Sequence, residues 1–495
     1  MLIRVLLEID LDLFNNQKLV FPYRGMGQKT ILVIIPAVVL MGIVAISVSG
    51  QIVIQENPEG ILFTNVNVFD GTGDRLEQNM NVLVVENKIH TISSSEIPVN
   101  ANSTVIDGHS MTLMPGLIDS HVHFNVVIEG GLDKIEASRW DRIAAIAVSS
   151  AQEWFMDGFT TVRDMGGLGN GVKMTIDEGL LDGPRIYPSG SYISQTAGHG
   201  DIILGSQRDP QTSNLVRLGI TQIADGEDAV RAAVRKNFAE GASQIKIMIA
   251  GGISSEKGPL FAPQYTNAEI KAAVEEAEAR DTYVAVHVYH TDHIKRALEL
   301  GVKSIEHGQF IDEPTAQLLK EKDAFISPYL ASTVGDGVFS HPVYGKEGSP
   351  QNLKTKEFQQ LSTNFVDVIK KVKPKIVFAV DVVNEVGIDA RKHRDYEKWV
   401  VAEQFGNYEA LKSMTSTAGE LMALTGKNNP YPGKLGVIEP GAYADILIIN
   451  GNPLEDITVI GANPKLYDAE PREKGIDTIL LIMKDGVIYK NTLRN

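Results

Sequence analysis

Two histidines separated by a single residue, His121 and His123, close an apolar stretch that begins with a Met-Pro-Gly turn. Residues 112–124 are mostly apolar, which predicts a buried strand. Side chains at positions i and i+2 of a strand share a face, so both imidazoles point into one space. Two neutral imidazoles bind a divalent transition metal when further ligands come from elsewhere in the chain. Alone, such a pair is more often a polar strand end, so the rest of the chain decides its interpretation.

The middle of the chain alternates short apolar strands with helical patterns such as 228–240 and 267–280. This alternation is typical of parallel strands joined by crossover helices. After the strand of the histidine pair, seven more strands are predicted at 160–164, 185–189, 244–249, 283–289, 304–307, 324–327 and 375–381. Eight such strands predict an α/β fold, a closed (β/α)8 TIM barrel with its active site at the carboxyl ends of the strands.

Four further nitrogen or oxygen donors stand at later strand ends: Lys246, His287, His307 and Asp381. A protonated lysine would repel a metal ion, so Lys246 is a ligand only if it is neutral or modified, for example as a carbamate. Asp381 follows an apolar strand, where an isolated carboxylate is costly unless a cation pairs with it. Together with the histidine pair, these residues predict a metal site of six donors at five strand ends.

Both ends of the chain carry a different pattern, in which apolar and polar residues alternate with a period of two, as at 61–71 and 478–489. We predict a small β-sandwich domain built from both termini, with the barrel inserted between its halves. The predicted organisation is a signal peptide or membrane anchor at 1–54, the β-domain at 55–113 and 435–495, and the hydrolase barrel at 114–434.

Composition narrows the classes of function. The chain has 495 residues, a net charge of −16 and no cysteine. An acidic chain without a Lys/Arg-rich run is not expected to bind nucleic acid. Without thiolates, any metal must be held by nitrogen and oxygen.

Residues 30–50 are uncharged and largely apolar, and Arg24 and Lys29 precede them. The run is long enough to cross a bilayer, yet its end at Ser49 and Gly50 also suits signal-peptidase cleavage. We favour a cleaved signal peptide over a retained membrane anchor. Either interpretation predicts export, so that the protein is periplasmic or secreted, or inserted in a membrane through its N-terminus.

With these motifs in place, the chain resembles the amidohydrolase superfamily over about 61–490. Within it, the resemblance is to the imidazolonepropionase-like branch that contains Xaa-Pro dipeptidases, lysine/arginine carboxypeptidases and ochratoxin-type amidases. Beyond His287 and Asp381, it rests on Pro-Gly-Leu-Ile-Asp-Ser-His-Val-His from 115, Thr-Val-Arg-Asp-Met-Gly-Gly from 161, Ser-Gln-Thr-Ala-Gly-His-Gly-Asp from 194, Ile-Lys-Ile-Met from 245, Ser-Ile-Glu-His-Gly from 304 and Gly-Ala-Tyr-Ala-Asp-Ile from 441.

The resemblance implies two divalent metal ions, usually zinc. It implies His121, His123 and Asp381 on one ion, His287 and His307 on the other, and an N6-carboxylated Lys246 bridging both. One departure concerns strand eight, where the family commonly has Gly-Thr-Asp and this chain has Ala-Val-Asp ending at Asp381. The chain therefore lacks the threonine hydroxyl that would help to position the carboxylate of Asp381.

The predicted reaction is hydrolysis of the amide bond of a small molecule, such as a dipeptide like Xaa-Pro or an N-acyl amino acid, by metal-activated hydroxide. Asp381 is the predicted general base and acid. His199 and Tyr289 are candidates for contacting the substrate or the oxyanion. An enzyme that opens a cyclic amide is one alternative, and a catalytically silent scaffold on the same fold is another. We also predict a homo-oligomer.

Several polar residues receive structural interpretations instead. Arg163 is expected to pair with Asp164 inside the barrel. Residues 290–293 are expected to form a solvated helix start capped by Thr291 or Asp292. His341 and His393 are expected to be exposed in polar loops.

Overall fold

The computed structural model describes residues 57–124, 132–167, 169–203, 213–255, 257–334 and 337–493. The predicted signal peptide or anchor at 30–50 lies outside these residues. Among the described helices, none combines the length and the apolar character that crossing a bilayer requires.

The described residues contain three sheets connected by helices. In chain order the strands are β1 (Ile61–Val68), β2 (Glu77–Val85), β3 (Lys88–Ser93), β4 (Thr104–Asp107), β5 (Thr112–Pro115), β6 (Leu117–Val122), β7 (Phe159–Asp164), β8 (Arg185–Pro188), β9 (Tyr192–Ser194), β10 (Thr221–Ile223), β11 (Ile245–Met248), β12 (Val284–His290), β13 (Ser304–Phe310), β14 (Phe325–Ser327), β15 (Lys375–Ile376), β16 (Ile446–Ile449), β17 (Ile479–Lys484) and β18 (Val487–Asn491).

The helices are α1 (Leu132–Glu136), α2 (Trp140–Met156), α3 (Gly169–Asp177), α4 (Asn214–Arg217), α5 (Glu227–Ala239), α6 (Asn267–Glu278), α7 (Thr291–Glu299), α8 (Glu313–Glu321), α9 (Pro350–Leu361), α10 (Phe365–Val372), α11 (Ile388–Phe405), α12 (Asn407–Ser413) and α13 (Ser416–Ala423).

Strands from both ends of the chain form one eight-stranded sheet. Its order is β18-β17-β16-β5-β1-β2-β3, and β4 pairs with β1 beside this path. The buried face carries apolar residues from both parts of the chain, including Phe63, Val82, Ile446 and Leu481. The prediction that both termini contribute strands to one β-structure is therefore confirmed, and these strands join in one hydrogen-bonded sheet.

The middle of the chain forms two parallel sheets. One has three strands in the order β6-β7-β8, and the other has seven in the order β10-β9-β11-β12-β13-β14-β15. Backbone hydrogen bonds link the two sheets: Ser120 N–H in β6 donates to Phe378 O after β15 at 2.9 Å, and Ser243 N–H before β11 donates to Pro188 O in β8 at 2.7 Å. The alternation of strands and helices places the carboxyl ends of the parallel strands on one side.

The predicted last strand is shorter than expected. Its pairing with β14 ends at Ile376, and the apolar residues that follow are held by hydrogen bonds to β6 and other segments. Asp381 N–H donates to His121 O at 2.9 Å, which brings the end of this segment beside the first strand. The apolar run that predicted a strand over 375–381 thus reflects burial, because residues 377–380 are buried although they do not pair with β14 as strand residues.

Helix starts follow the expected capping chemistry with one correction. Thr266 and Glu269 form a reciprocal capping box at α6. At α7, however, the cap is the His290 side chain, whose Nδ1 accepts from Asp292 N–H at 3.3 Å. The predicted caps, Thr291 and Asp292, already lie inside the helix, because β12 runs directly into it.

Candidate metal centre

One cavity at the carboxyl ends of the parallel strands collects the predicted site residues. Its lining includes all six predicted metal ligands together with His199 and Tyr289. His121 in β6 and His123 just after it lie beside Asp381. Lys246, His287 and His307 come from β11, β12 and β13. The fold therefore brings donors separated by up to 260 positions in sequence into one cavity.

The tightest part of the site is formed by His121, His123 and Asp381, whose ligand atoms all lie within 4.8 Å of one another. The Nε2 atoms of the two imidazoles are 3.2 Å apart. Asp381 Oδ1 lies 3.4 Å from His121 Nε2 and 3.3 Å from His123 Nε2. Both histidines are buried, and burial lowers the pKa of His121 to about 4, with the charge of Lys246 acting in the same direction.

The hydrogen-bond partners show which ring nitrogens carry protons. His121 Nδ1 lies 2.8 Å from Glu306 Oε2, and His123 Nδ1 lies 3.4 Å from Gly166 O. Both partners are acceptors, so in the neutral rings the protons are assigned to Nδ1 and each Nε2 carries a lone pair. Two imidazole lone pairs and a carboxylate oxygen then converge with no proton between them. This arrangement fits a divalent cation.

The other three predicted ligands lie on adjacent strands of the same cavity. The rings of His287 and His307 are 4.5 Å apart, and His307 Nδ1 is 3.8 Å from Asp381 Oδ2. His287 Nε2 donates to Gly251 O at 3.0 Å, which leaves its Nδ1 as an acceptor. Lys246 is fully buried, and burial lowers its pKa to about 8. A lysine that loses its proton this readily can act as a neutral nucleophile.

Two of the candidate ligands have unusual backbone conformations. His307 has φ of 73° and Asp381 has φ of 47°, so both lie in the left-handed region that non-glycine residues rarely adopt. Such conformations cost about 1–3 kcal/mol each and persist where surrounding contacts enforce them. Both side chains line the cavity.

A buried carboxylate that the sequence analysis did not select, Asp119, ties the two sides of the site together. It accepts from His121 N–H at 3.0 Å, from Trp154 Nε1–H at 3.0 Å and from Val380 N–H at 3.4 Å. The backbone of Val380, the residue before Asp381, is thus held by Asp119 of β6.

The predicted pairing of Arg163 with Asp164 is wrong. The Arg163 guanidinium instead donates to Glu306 at 2.8 and 2.9 Å, and also to Ser120 O at 2.6 Å. Burial alone would raise the pKa of Glu306, but Arg163 and His121 hold it below its ordinary value. Adjacent residues of a strand point to opposite faces, so the side chains of Arg163 and Asp164 point away from each other and do not pair. Glu306, held by Arg163, in turn fixes the ring of His121 through its Nδ1 atom.

This network gives a testable prediction for stability. Glu306→Gln should lower the free energy of unfolding by about 3–5 kcal/mol, because it leaves the buried guanidinium of Arg163 without its charged partner. Chemical denaturation of both proteins measures the change. The matched control is Glu347→Gln, which removes an exposed partner of Lys356 and should cost less than about 1 kcal/mol. Equal losses in the two variants would contradict the role assigned to the buried pair.

The two predicted substrate-contacting residues lie against the same histidines. The ring of His199 stacks on His287 at 4.2 Å, and burial lowers the pKa of His199 to about 3. Its Nδ1 is buried and has no hydrogen-bond partner among the described residues. Tyr289 packs edge-on against His287 at 4.9 Å, and burial raises its pKa. Both side chains can therefore offer polar atoms to a molecule in the cavity.

The prediction that His341 and His393 are exposed is wrong, because both are buried beside a shared carboxylate, Glu385. His393 Nδ1 lies 2.9 Å and His341 Nε2 lies 3.4 Å from the Glu385 carboxylate. Tyr329 hydrogen-bonds to His393 Nε2, and both side chains line the cavity. Sequence alone gave no signal for this cluster, since its members come from three separate loop and helix segments.

Comparison with known proteins agrees with this geometry. The amidohydrolase family model matches residues 112–470. Ochratoxinase of Aspergillus niger is 31% identical over 404 residues, which are 76% of this chain and 78% of that protein. A solved prolidase in complex with N-methylphosphonate-L-proline has 31% identity and a TM-score of 0.76, with 87% of this chain and 99% of the other covered. A Xaa-Pro dipeptidase with bound methionine in its active site has 28% identity and a TM-score of 0.72, over 87% of this chain and all of the other. The chain therefore belongs to the amidohydrolase family and is a hydrolase that acts on carbon–nitrogen bonds.

Proposed function

We propose that this protein is a binuclear-metal amidohydrolase that cleaves the amide bond of a small substrate, either a dipeptide such as Xaa-Pro or an N-acyl amino acid. The observation that carries the proposal is the convergence of His121 Nε2, His123 Nε2 and Asp381 Oδ1 in one cavity. The similarity to a prolidase, a Xaa-Pro dipeptidase and an ochratoxinase supports the choice of substrate class.

The residues present suit two divalent ions, with zinc as the proposed metal. His121, His123 and Asp381 would hold one ion, His287 and His307 the other, and an N6-carboxylated Lys246 would join them. The lowered pKa of Lys246 supports the carbamate, because only a neutral amine reacts with carbon dioxide. Bound there, the ions would lower the pKa of a water molecule and polarise a carbonyl group.

The chain's own side chains supply the remaining steps. Asp381 would accept the proton of the attacking water and deliver it to the leaving nitrogen, since one carboxylate oxygen faces the β6 histidines and the other faces His307. His199 and Tyr289 would contact the carbonyl oxygen or the substrate from the opposite wall. Apolar side chains such as Met248 and Val383 also line this cavity and would exclude water from it when substrate is bound.

The architecture belongs to the same proposal. We propose that the two parallel sheets close into one (β/α)8 barrel, which the backbone hydrogen bonds of Ser120 to Phe378 and of Ser243 to Pro188 between the two sheets support. The domain boundaries predicted from the sequence, export directed by the segment at 30–50 and a homo-oligomeric state remain parts of this proposal. Size-exclusion chromatography with light scattering tests the last of these.

A substrate screen tests the proposed activity. The zinc-loaded protein should release an amino acid from at least one member of a panel of Xaa-Pro dipeptides, other dipeptides and N-acyl amino acids. The Asp381→Asn protein, prepared in the same way, is the control for contaminating peptidases. Turnover confined to lactams or imidazolones would instead favour the cyclic-amide alternative. A metal-loaded protein that hydrolyses none of these amides would contradict the proposal.

A further inference from the structure

A second polar cluster meets the proposed metal site across the cavity, and its partly buried member Tyr329 lines that cavity. Tyr329 lies two residues beyond the end of β14, whose last residue, Ser327, is the register partner of Glu306 on β13. The other neighbour of β14 is β15, which leads to Asp381. Tyr329 therefore follows a strand end that lies between those carrying His307 and Asp381, and its side chain lines the same cavity.

Hydrogen bonds hold the hydroxyl of Tyr329 in one orientation. Tyr329 bonds to His393 Nε2, and His393 Nδ1 lies 2.9 Å from the Glu385 carboxylate. Glu385 also accepts from the hydroxyl of Tyr467 in the C-terminal segment. His393 and Glu385 are 5% and 4% exposed, so water does not compete for these bonds.

The direction of these bonds decides what Tyr329 offers to a ligand. A carboxylate only accepts, so the proton of neutral His393 is assigned to Nδ1 and Nε2 accepts from the tyrosine hydroxyl. Burial raises the pKa of Tyr329 well above its ordinary value, so the hydroxyl keeps this proton. With the proton directed at His393, the lone pairs of the Tyr329 oxygen remain available to the cavity. Tyr329 is then an acceptor for a donor group of the substrate.

The remaining cavity wall favours a cationic donor. Four tyrosines line the cavity, and aromatic faces attract ammonium groups: Tyr192, Tyr289, Tyr329 and Tyr344. Among the described lining residues, Lys246 is the sole lysine or arginine, and it lies on the side of the proposed metal ligands. Glu385 adds a carboxylate directly behind His393. An ammonium group therefore finds acceptors and aromatic faces on this wall.

From this geometry we infer that Tyr329 is a specificity-determining residue that accepts a hydrogen bond from the free amino group of the substrate, with His393 and Glu385 as positioning residues. The inference rests on the proposed function and narrows it. A dipeptide carries an amino group on the carbon next to the carbonyl that is attacked, whereas a simple N-acyl amino acid lacks it. Aminoacyl substrates are therefore preferred over their desamino analogues.

A matched substrate pair tests this inference on the wild-type, metal-loaded protein. The pair is the best dipeptide from the panel and its desamino analogue, which for alanyl-proline is propionyl-proline. Loss of one hydrogen bond to a charged donor should lower kcat/KM by about 10- to 100-fold. Equal kcat/KM values for both compounds would overturn the inference while leaving the amidohydrolase proposal intact. Failure to hydrolyse either compound, or any other amide of the panel, would count against the proposed function itself.

Variants then test whether Tyr329 causes the preference for substrates with a free amino group. Tyr329→Phe should reduce the preference for the amino group to about threefold or less, mainly through slower turnover of the dipeptide. The control is Tyr344→Phe, which removes another hydroxyl from the same cavity and should keep the wild-type preference. Metal content and melting temperature establish that each variant is folded.

A second variant acts on the positioning residue. His393→Phe keeps an aromatic ring at the position but removes the Nε2 acceptor, so it should reduce the preference in the same way. A change that slowed both substrates equally would leave the ratio of the two kcat/KM values at its wild-type value and would count against the inference. A wild-type ratio in folded Tyr329→Phe, or in folded His393→Phe if Tyr329→Phe does not fold, would overturn the inference.

Discussion

Asp381→Asn is expected to lower kcat by about 10³-fold while leaving most of the metal bound. The amide retains the shape of the carboxylate and an oxygen near His121 and His123, but it cannot accept and return a proton at neutral pH. Steady-state kinetics with the best substrate of the panel, together with metal analysis of the same preparation, measures both effects.

The control for this substitution is Asp312→Asn. Asp312 is exposed, caps α8 through Thr315 N–H and takes no part in the cavity. Asparagine is an equally good helix cap, so kcat should stay within about twofold of the wild type. If Asp381→Asn retained wild-type turnover, Asp381 would not be the proton shuttle. Loss of all metal would instead show that its main role is as a ligand.

Lys246→Ala is expected to have the second largest effect. Lys246 is buried between β9 and β12 and lines the cavity beside His287 and His307, where its carbamate would join the two ions. Without that ligand, about one metal equivalent should be lost and kcat/KM should fall by about 10³-fold, since metal-ion stabilisation of the transition state is worth several kcal/mol. Added short carboxylates such as acetate should restore part of the activity, because they fit the volume left by the side chain.

Lys356→Ala is the matched control, since it removes an exposed lysine that pairs with Glu347. It should leave metal content and kcat/KM unchanged. Full metal content and full activity in Lys246→Ala would contradict the bridging role of Lys246. Mass spectrometry under native conditions, which preserve a carbamate, gives an independent measurement of the modification.

The sequence predicted much of the site because strand ends in parallel sheets meet on one side. His121, His123, Lys246, His287, His307 and Asp381 are polar residues at predicted strand ends, and that position was enough to select them. The prediction of the β-structure from both termini succeeded for a similar reason, since alternation along β1 and β17 is visible in each strand alone.

The errors concern contacts that depend on distant pairing. Glu306 lies 143 positions after Arg163, so the nearer Asp164 seemed the natural partner. The buried state of His393 depends on Glu385 and on Tyr329 in another segment, and no local pattern reveals it. Asp119 stands two residues before His121, yet its role appears only when Val380 and Trp154 are placed beside it. The left-handed backbone of His307 and Asp381 is likewise set by the surrounding fold.

Metal analysis of the purified protein tests the central claim most directly. The protein should contain close to two equivalents of divalent transition metal per chain. Removal of the metal by a chelator should abolish amide hydrolysis, and addition of zinc should restore it in step with the amount bound, up to two equivalents. A folded protein that hydrolysed its substrate at the full rate with no bound metal would contradict the account.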